Sequence, residues 1–394
     1  MSMIGVLALL GAAVAVPSPP PVDAAVIDDA GMITVTAVRL TDLASAAADC
    51  ARSQCPTRTD VAVTVSYASA LFDAGNYLDA KRLLAAGVDR LRWAVRAEPV
   101  AISTLYQAQA SLAMHEGDQD TTRAATWASR NALSNDLADA PGARALARLS
   151  AEFRLADWQL RTGDRVGAEA RYAAIAAQAA SAGQQKLADV ATLRRAQVLD
   201  SLDRRTESRA ILEALAARPD AASGDVRRAA LASAARMASA VHDTAAADGF
   251  VARLAALPRG AEPILLSEPK LPVPGAPRDN EIDPVGAMDR GARGADMLGL
   301  RWVDIGFWIR PDGRVDDVAI MRSSPRPDWA RPLLGHVGGR RYAAFAADGA
   351  DGQGRYRIER YTLTADYDTP VGSLVRRRVK NKRYEKMEMT GVAS

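Results

Sequence analysis

Three histidines and two cysteines are the nitrogen and sulfur side chains in this 394-residue chain suited to bind zinc or an iron–sulfur cluster. His115 adjoins Glu116 and His242 adjoins Asp243, and an imidazole beside a carboxylate is an ingredient of acid–base chemistry. Each pair stands apart from any nucleophile–base or paired-acid constellation, and both read as solvent-facing turn residues. His336 stands alone, and five scattered ligands do not make a zinc or iron–sulfur site. The reading is therefore of a protein that is not an enzyme, with no catalytic, metal or cofactor-binding residues. Cys50 and Cys55 lie in ADCARSQCPT, where Pro56 breaks a helix and Arg52-Ser53-Gln54 can turn. Two readings fit that pair: a small disulfide loop in an oxidising compartment, or two free thiols.

The elements around these residues fall into two compositions. Residues 1–300 hold 73 of the 82 alanines but 10 of the 20 aromatics, whereas residues 301–394 hold 9 alanines and the other 10 aromatics. Alanine favours close-packed helices, and aromatic and β-branched residues favour strands. The expected fold class is multidomain, α then α+β: a helical solenoid, a Pro-rich linker and a small sheet-plus-helix domain. A charged fraction of 25% beside 48% hydrophobic residues describes a globular chain. The net charge of +3 does not suggest nucleic acid, and Arg376–Lys386 alone carries +6, so the remainder is mildly acidic.

At the N-terminus Ile4–Val16 is an apolar run of 13 residues, too short for a membrane-spanning helix of about 20 but suited to a secretory signal. Cleavage is expected after Ala24, with Ala13-Val14-Ala15 as a second option, and no membrane span remains once the signal is removed. A segment from 25 to 60 carries the cysteine pair. From 61 to 257 amphipathic helices alternate with short breaks at Gly75, Gly117, Gly163, Asp203 and His242. Small residues twelve apart flank each break: Ala68/Ala80, Ala110/Thr122, Ala156/Ala168, Ala196/Ser208 and Ala235/Ala247. Trp93, Trp127 and Trp158 read as core fillers. The unit YASALFDAGNYLDAKRLL resembles a tetratricopeptide (TPR) repeat, although the breaks recur nearer 40 residues than the family's roughly 34. That resemblance implies a groove that binds a peptide or protein partner.

Seven prolines within Pro258–Pro284 mark a linker, taken as 258–285, that reads as a semi-rigid spacer or a surface-hugging connector. In the following domain, 286–370, WVDIGFWIR alternates, with Val303, Ile305, Phe307 and Ile309 on one face and Trp302, Asp304, Gly306, Trp308 and Arg310 opposite. Pro311-Asp312-Gly313 is a turn sequence, and a second strand follows from Arg314 to about Arg322. Ser323-Ser324 ends it, and Asp328 is placed to cap a short helix reaching about His336. A third strand lies in GRYRIERYTLTADYD, and 371–394 reads as a solvated basic tail.

This order of strand, PDG turn, strand, SS and helix, with Arg340–Phe345 and a last strand, resembles the C-terminal domain of TonB-family proteins over about 285–367. The resemblance implies a periplasmic protein–protein interaction domain that binds extended segments of TonB-dependent outer-membrane receptors by strand addition. It also implies that Tyr356, Ile358, Tyr361 and Leu363 lie on the strand nearest the partner. The expected role is that of an adaptor or scaffold for envelope proteins in a Gram-negative type periplasm. The alternative is an energy transducer for transmembrane transport that keeps its N-terminal anchor.

Overall fold

The structure, a computed structural model, describes residues 40–53, 55–133, 143–218, 224–273, 300–325, 327–346, 354–368, 371–372 and 377–390. The expected signal segment and its cleavage site lie outside the described residues. Helix α1 (Leu40–Ser53) is followed by five helix pairs. They are α2/α3 (Thr57–Asp73, Tyr77–Leu91), α4/α5 (Pro99–Glu116, Gln119–Ala132), α6/α7 (Ala143–Thr162, Arg165–Ser181), α8/α9 (Gln185–Ser201, Arg205–Ala216) and α10/α11 (Gly224–Ala240, Thr244–Ala255). The helices thus begin well before residue 61. Cys50 and Cys55 are joined in a disulfide, Cα atoms 4.8 Å apart, that ties the end of α1 to the start of α2.

The five breaks share one local geometry. Gly75, Gly117, Gly163, Asp203 and His242 have φ of 81°, 81°, 92°, 60° and 60°. A left-handed residue there ends the first helix of each pair and reverses the chain. At three of them the next residue caps the second helix: Asp118, Asp164 and Asp243 accept the backbone N–H of Thr121, Gly167 and Ala246. All ten small residues flanking the breaks are buried. They let the two helix axes of each hairpin approach, and Ser208 Oγ even donates to Ala196 O across its hairpin at 2.7 Å. The indoles were expected inside, yet Trp93 is 77% and Trp127 39% exposed, each beside an arginine (Arg92, Arg130) that covers its ring. An arginine plane stabilises an indole face at the surface, so neither ring needs the core.

The second module is an antiparallel sheet of order β3-β2-β5-β6: β2 (Arg301–Ile309), β3 (Val315–Ser323), β5 (Arg355–Asp368) and β6 (Arg377–Glu388). Four strands stand where three were expected, because the supposed basic tail is β6. A 14-residue β5 leaves a long row of peptide groups on its second edge, and β6 satisfies them. Gly313, with φ 85°, closes the β2–β3 turn. Helix α12 (Arg331–Gly338) carries Pro332 in its first turn. Asp328 does not cap it; it lies in a preceding 3-10 turn and pairs with Arg331 at 2.9 Å. The described part of the linker is not a free spacer, since β1 (Leu265–Ser267) pairs with β4 (Arg341–Tyr342). Ala343 and Ala346 N–H groups extend that pairing to Ile264 O and Gly260 O.

Both faces of the sheet are covered. Val303, Ile305, Phe307 and Ile309 pack with Tyr361, Leu363 and Tyr384 against Leu333 and Val337 of α12. Trp302, Ile358, Met387 and Met389 pack on the other side into a cluster with Leu71, Phe72, Tyr77 and Leu105 of α2–α4. The two modules therefore share a hydrophobic core. A Cβ at Gly75 would stand 2.7 Å from Cε2 and Nε1 of Trp302, whereas one at Gly163 meets nothing within 4 Å. Both glycines have positive φ, so each alanine substitution carries the left-handed cost of roughly 1–2 kcal/mol. Gly75→Ala is expected to lose a further 1–3 kcal/mol or so from overpacking against Trp302, measured by urea denaturation. Equal losses at the two sites would mean that Trp302 is not seated there.

Candidate functional site

The centre of the molecule lies where the sheet meets the hairpins. On β2 and β5, Asp304 faces Arg360 across the ladder, and both are fully buried. Arg360 Nε and Nη2 donate to Asp304 Oδ1 and Oδ2 at 2.7 and 2.9 Å, a bidentate pair. The same guanidinium donates to Phe72 O and, at 2.8 Å, to Asp73 O, the last two carbonyls of α2. A helix end leaves such carbonyls without intrahelical partners, and a cation there also meets the negative end of the helix dipole. Trp302 lies 4.1 Å and Phe72 5.1 Å from the guanidinium carbon, so π-faces shield it from water. Arg322 adds a contact to Asp304 at 2.8 Å from the half-exposed side. Burial raises the Asp73 carboxyl above its ordinary range against the pull of Arg360 and Arg322.

Successive hairpins repeat the contact two residues before the turn glycine. At Gly75 that residue is Asp73, whose carbonyl holds Arg360. At Gly117 it is His115, whose Nδ1 lies 3.2 Å from Thr362 Oγ1, next to a Tyr77 hydroxyl also 3.2 Å from Thr362. At Gly163 it is Arg161, which pairs with Glu385 of β6. Farther along, Arg236 of α10 donates to Leu265 O of β1. Asp73, His115, Arg161 and Arg236 belong to first helices of their hairpins, so one side of the helical module carries the sheet.

A second polar cluster lies on the opposite face of the sheet. Arg340 donates to Glu359 (2.8 Å) and to the Tyr361 hydroxyl (2.7 Å), which itself donates to Glu359 at 2.6 Å. His336 Nε2 is 3.2 Å from Arg340, its Nδ1 is 2.8 Å from Pro269 O, and Glu268 stands 3.5 Å from Arg340. Burial works to raise the Glu359 pKa, but Lys386, Arg340 and the Tyr361 hydrogen bond carry it down to about 2. The Asp304 and Glu359 carboxylates are each tied to an arginine, an arrangement that builds structure. Among the described residues no group of three or more His, Cys, Asp or Glu is placed to hold a metal ion, and no helix is long and apolar enough to cross a membrane.

The residues expected nearest a partner are differently placed. Tyr356, Ile358, Tyr361 and Leu363 all lie on β5, which is hydrogen-bonded on both edges, to β2 and β6. Tyr361 and Leu363 face the core under α12; Ile358 faces the hairpins, and Tyr356 packs its ring 5.3 Å from Trp308. The edge strands are β3 and β6. Edge β3 shifts register twice, at Asp317 (φ 52°) and at Met321, which is 53% exposed. Edge β6 is in regular register from Arg383 to Glu388. His115 is not a solvent-facing turn residue; it is buried edge-on to Phe72, and Glu116 pairs with Lys81 at 2.6 Å. His242 and Asp243 do form an exposed turn and cap. The missed centre had one sequence signal: Asp304 interrupts an apolar strand, and an acid in such a position requires a buried cation. A comparison of the chain with protein-family models, curated proteins and solved structures finds no match.

His115 makes the join of the two modules sensitive to acid. Burial, reinforced by Arg161 and Arg360, lowers its pKa from 6.5 to about 3. His336 is lowered too, by burial and Arg340. The unfolded chain binds a proton at His115 below about pH 6.5 that the folded chain refuses, so its contribution is intact above that pH and is lost as pH falls toward 3. His336 acts in the same direction. Unfolding free energy is expected to decline from pH 6.5 downward, by up to about 1.4 kcal/mol per pH unit from His115. His115→Gln should remove about one proton's worth of that slope between pH 6.5 and 4.5; an unchanged slope would show that His115 titrates normally in the fold.

Proposed function

We propose that this protein is a non-enzymatic interaction module of the cell envelope, in which TPR-like hairpins hold a TonB-like domain that accepts an extended partner segment by strand addition. The observation that carries this reading is the contrast between the two sheet edges. Two bulges in nine residues twist β3 and interrupt its row of peptide groups, a device that discourages pairing. Along β6 the ladder runs without interruption from Arg383 to Glu388. Met389 N–H donates to Ile358 O, so by antiparallel alternation the peptide groups of Tyr384, Lys386 and Glu388 point away from β5. Their spacing suits one added strand of about six residues. Tyr384, stacked against Trp329 with centroids 6.0 Å apart, gives that edge a firm wall on one face. The Arg161–Glu385 pair braces the other.

The helical module supports the reading in a particular way. Its first-helix side carries the protein's own sheet. The adaptor role accordingly belongs to the sheet edge, and the hairpins act as its mount. The Cys50–Cys55 disulfide and the apolar run Ile4–Val16 support an exported, oxidising location, the periplasm. The partner class that the TonB-like reading indicates is an outer-membrane receptor with an extended segment.

The reading is tested with a photo-crosslinking amino acid placed in the full chain at Lys386, on the regular edge, or at Met321, on the bulged one. Irradiation of envelope fractions should give a receptor adduct from position 386 and little from 321. Adducts from 321 alone, or none from either site while a position on α3 or α5 captures a partner, would move the interaction away from the β6 edge.

A further inference from the structure

The β5–β6 hairpin is longer than the sheet that bears it. Pairing between β2 and β5 ends at Arg301↔Leu363, but β5 runs on to Asp368 and pairs there with β6 as far as Asp368↔Arg377. Five residues of β5 beyond Leu363 span roughly 16 Å as strand. Over that length the two strands pair with each other alone among the described residues. The backbone pairing of β2 with β5 therefore stops short of this ribbon.

Its sequence is strongly biased. Arg377, Arg378, Lys380, Lys382 and Arg383 are five cations in seven residues of β6 with no acid, opposed by Asp366 and Asp368 on β5. Much of the cationic excess of an otherwise mildly acidic chain is thus placed on one projecting element. Past the end of β5, Gly372 turns with φ 81°, and its neighbour Val371 is fully exposed, 107% of the reference value. An apolar side chain at the turn of a cationic stem has two distinct affinities: the stem for phosphate, and the tip for a hydrocarbon environment.

We propose that the β5–β6 ribbon docks the protein on an anionic phospholipid bilayer, with the cationic stem among the headgroup phosphates and Val371 at the acyl boundary. Its length of roughly 16 Å exceeds the headgroup layer, which is about 5–8 Å deep on each side of the hydrocarbon. A cation near an anionic bilayer contributes about 1 kcal/mol, and a shallow apolar insertion adds to it, so several together hold a protein reversibly at the surface. Nucleic acid or an acidic protein would satisfy the stem and leave the valine without a role. The stem lies next to the Arg383–Glu388 edge on the same strand, so docking would present that edge close to the membrane plane.

The test is cosedimentation of the full chain with vesicles of phosphatidylcholine, with and without phosphatidylglycerol. Binding is expected only with phosphatidylglycerol, and it should weaken steeply as salt is raised. The triple variant Arg378→Gln, Lys380→Gln, Lys382→Gln should lose on the order of a hundredfold in partition. Val371→Asp, at an exposed turn where the fold is undemanding, should lose on the order of tenfold. Equal binding to neutral vesicles, or no effect of either variant, would overturn the proposal. So would binding to duplex DNA or polyglutamate as tight as that to vesicles and indifferent to Val371→Asp, which would mark a general polyanion site. Each variant keeps Arg383–Glu388, so partner capture at that edge remains a separate readout.

Discussion

A single guanidinium, Arg360, meets a carboxylate of the sheet and the carboxyl end of a helix in the same buried space. Burying one charge is costly by several kcal/mol unless it is paired and hydrogen-bonded. Here the cost is offset by a bidentate bond to Asp304 and by the last two carbonyls of α2, Phe72 O and Asp73 O. The arrangement works only if β2 and β5 hold the register that places Asp304 opposite Arg360. It also needs α2 to stop at Asp73 and Trp302 to lie flat over the guanidinium beside Gly75. Register, helix length and turn geometry are thereby coupled in one place.

The hairpins carry that coupling along the molecule. Each combines a left-handed turn residue with a buried small pair at the helix crossing, and three add an aspartate cap. Repetition of the turn places Asp73, His115 and Arg161 at equivalent positions, and the sheet meets all three. A helical repeat cannot bury its apolar side alone and must stack on neighbours. This chain extends that rule: part of the apolar surface of α2–α4 is closed by strands from residues more than two hundred positions later. The disulfide at Cys50–Cys55 secures the first helix of the row.

Much of this was legible in the sequence because it depends on local chemistry. The five turn residues need positive φ, the ten small residues need a close crossing, and Val303 to Ile309 need one apolar face; each follows from spacing alone. What stayed hidden depends on distant partners. Strand β6 reads as a solvated charge run, since Lys and Arg mask its alternation, and only the unsatisfied edge of β5 requires it. Residues Tyr356 to Leu363 looked like an edge because the strand beyond them was invisible. His115 beside Glu116 has the composition of a turn, yet the returning sheet buries it. Strand β1 lies within a Pro-rich stretch, where composition argues for an extended connector and β4 supplies the pairing.

The functional picture follows from the same interlock. A sheet held on both faces keeps β5 internal and offers one regular edge, while β5 and β6 run on as a pair beyond the end of β2. In the strand-addition role proposed above, rigid mounting of that edge would lower the ordering cost of pairing. The central claim is that the hairpins and the sheet form one cooperative body through Arg360. Native-state hydrogen exchange read by mass spectrometry tests it most directly. Amides of α2, α4 and β5 are predicted to exchange through one shared opening, and Arg360→Ala should lower its free energy by about 3–5 kcal/mol in all three. Separate opening energies for the helices and the sheet, or a loss in Arg360→Ala confined to β5, would contradict the account.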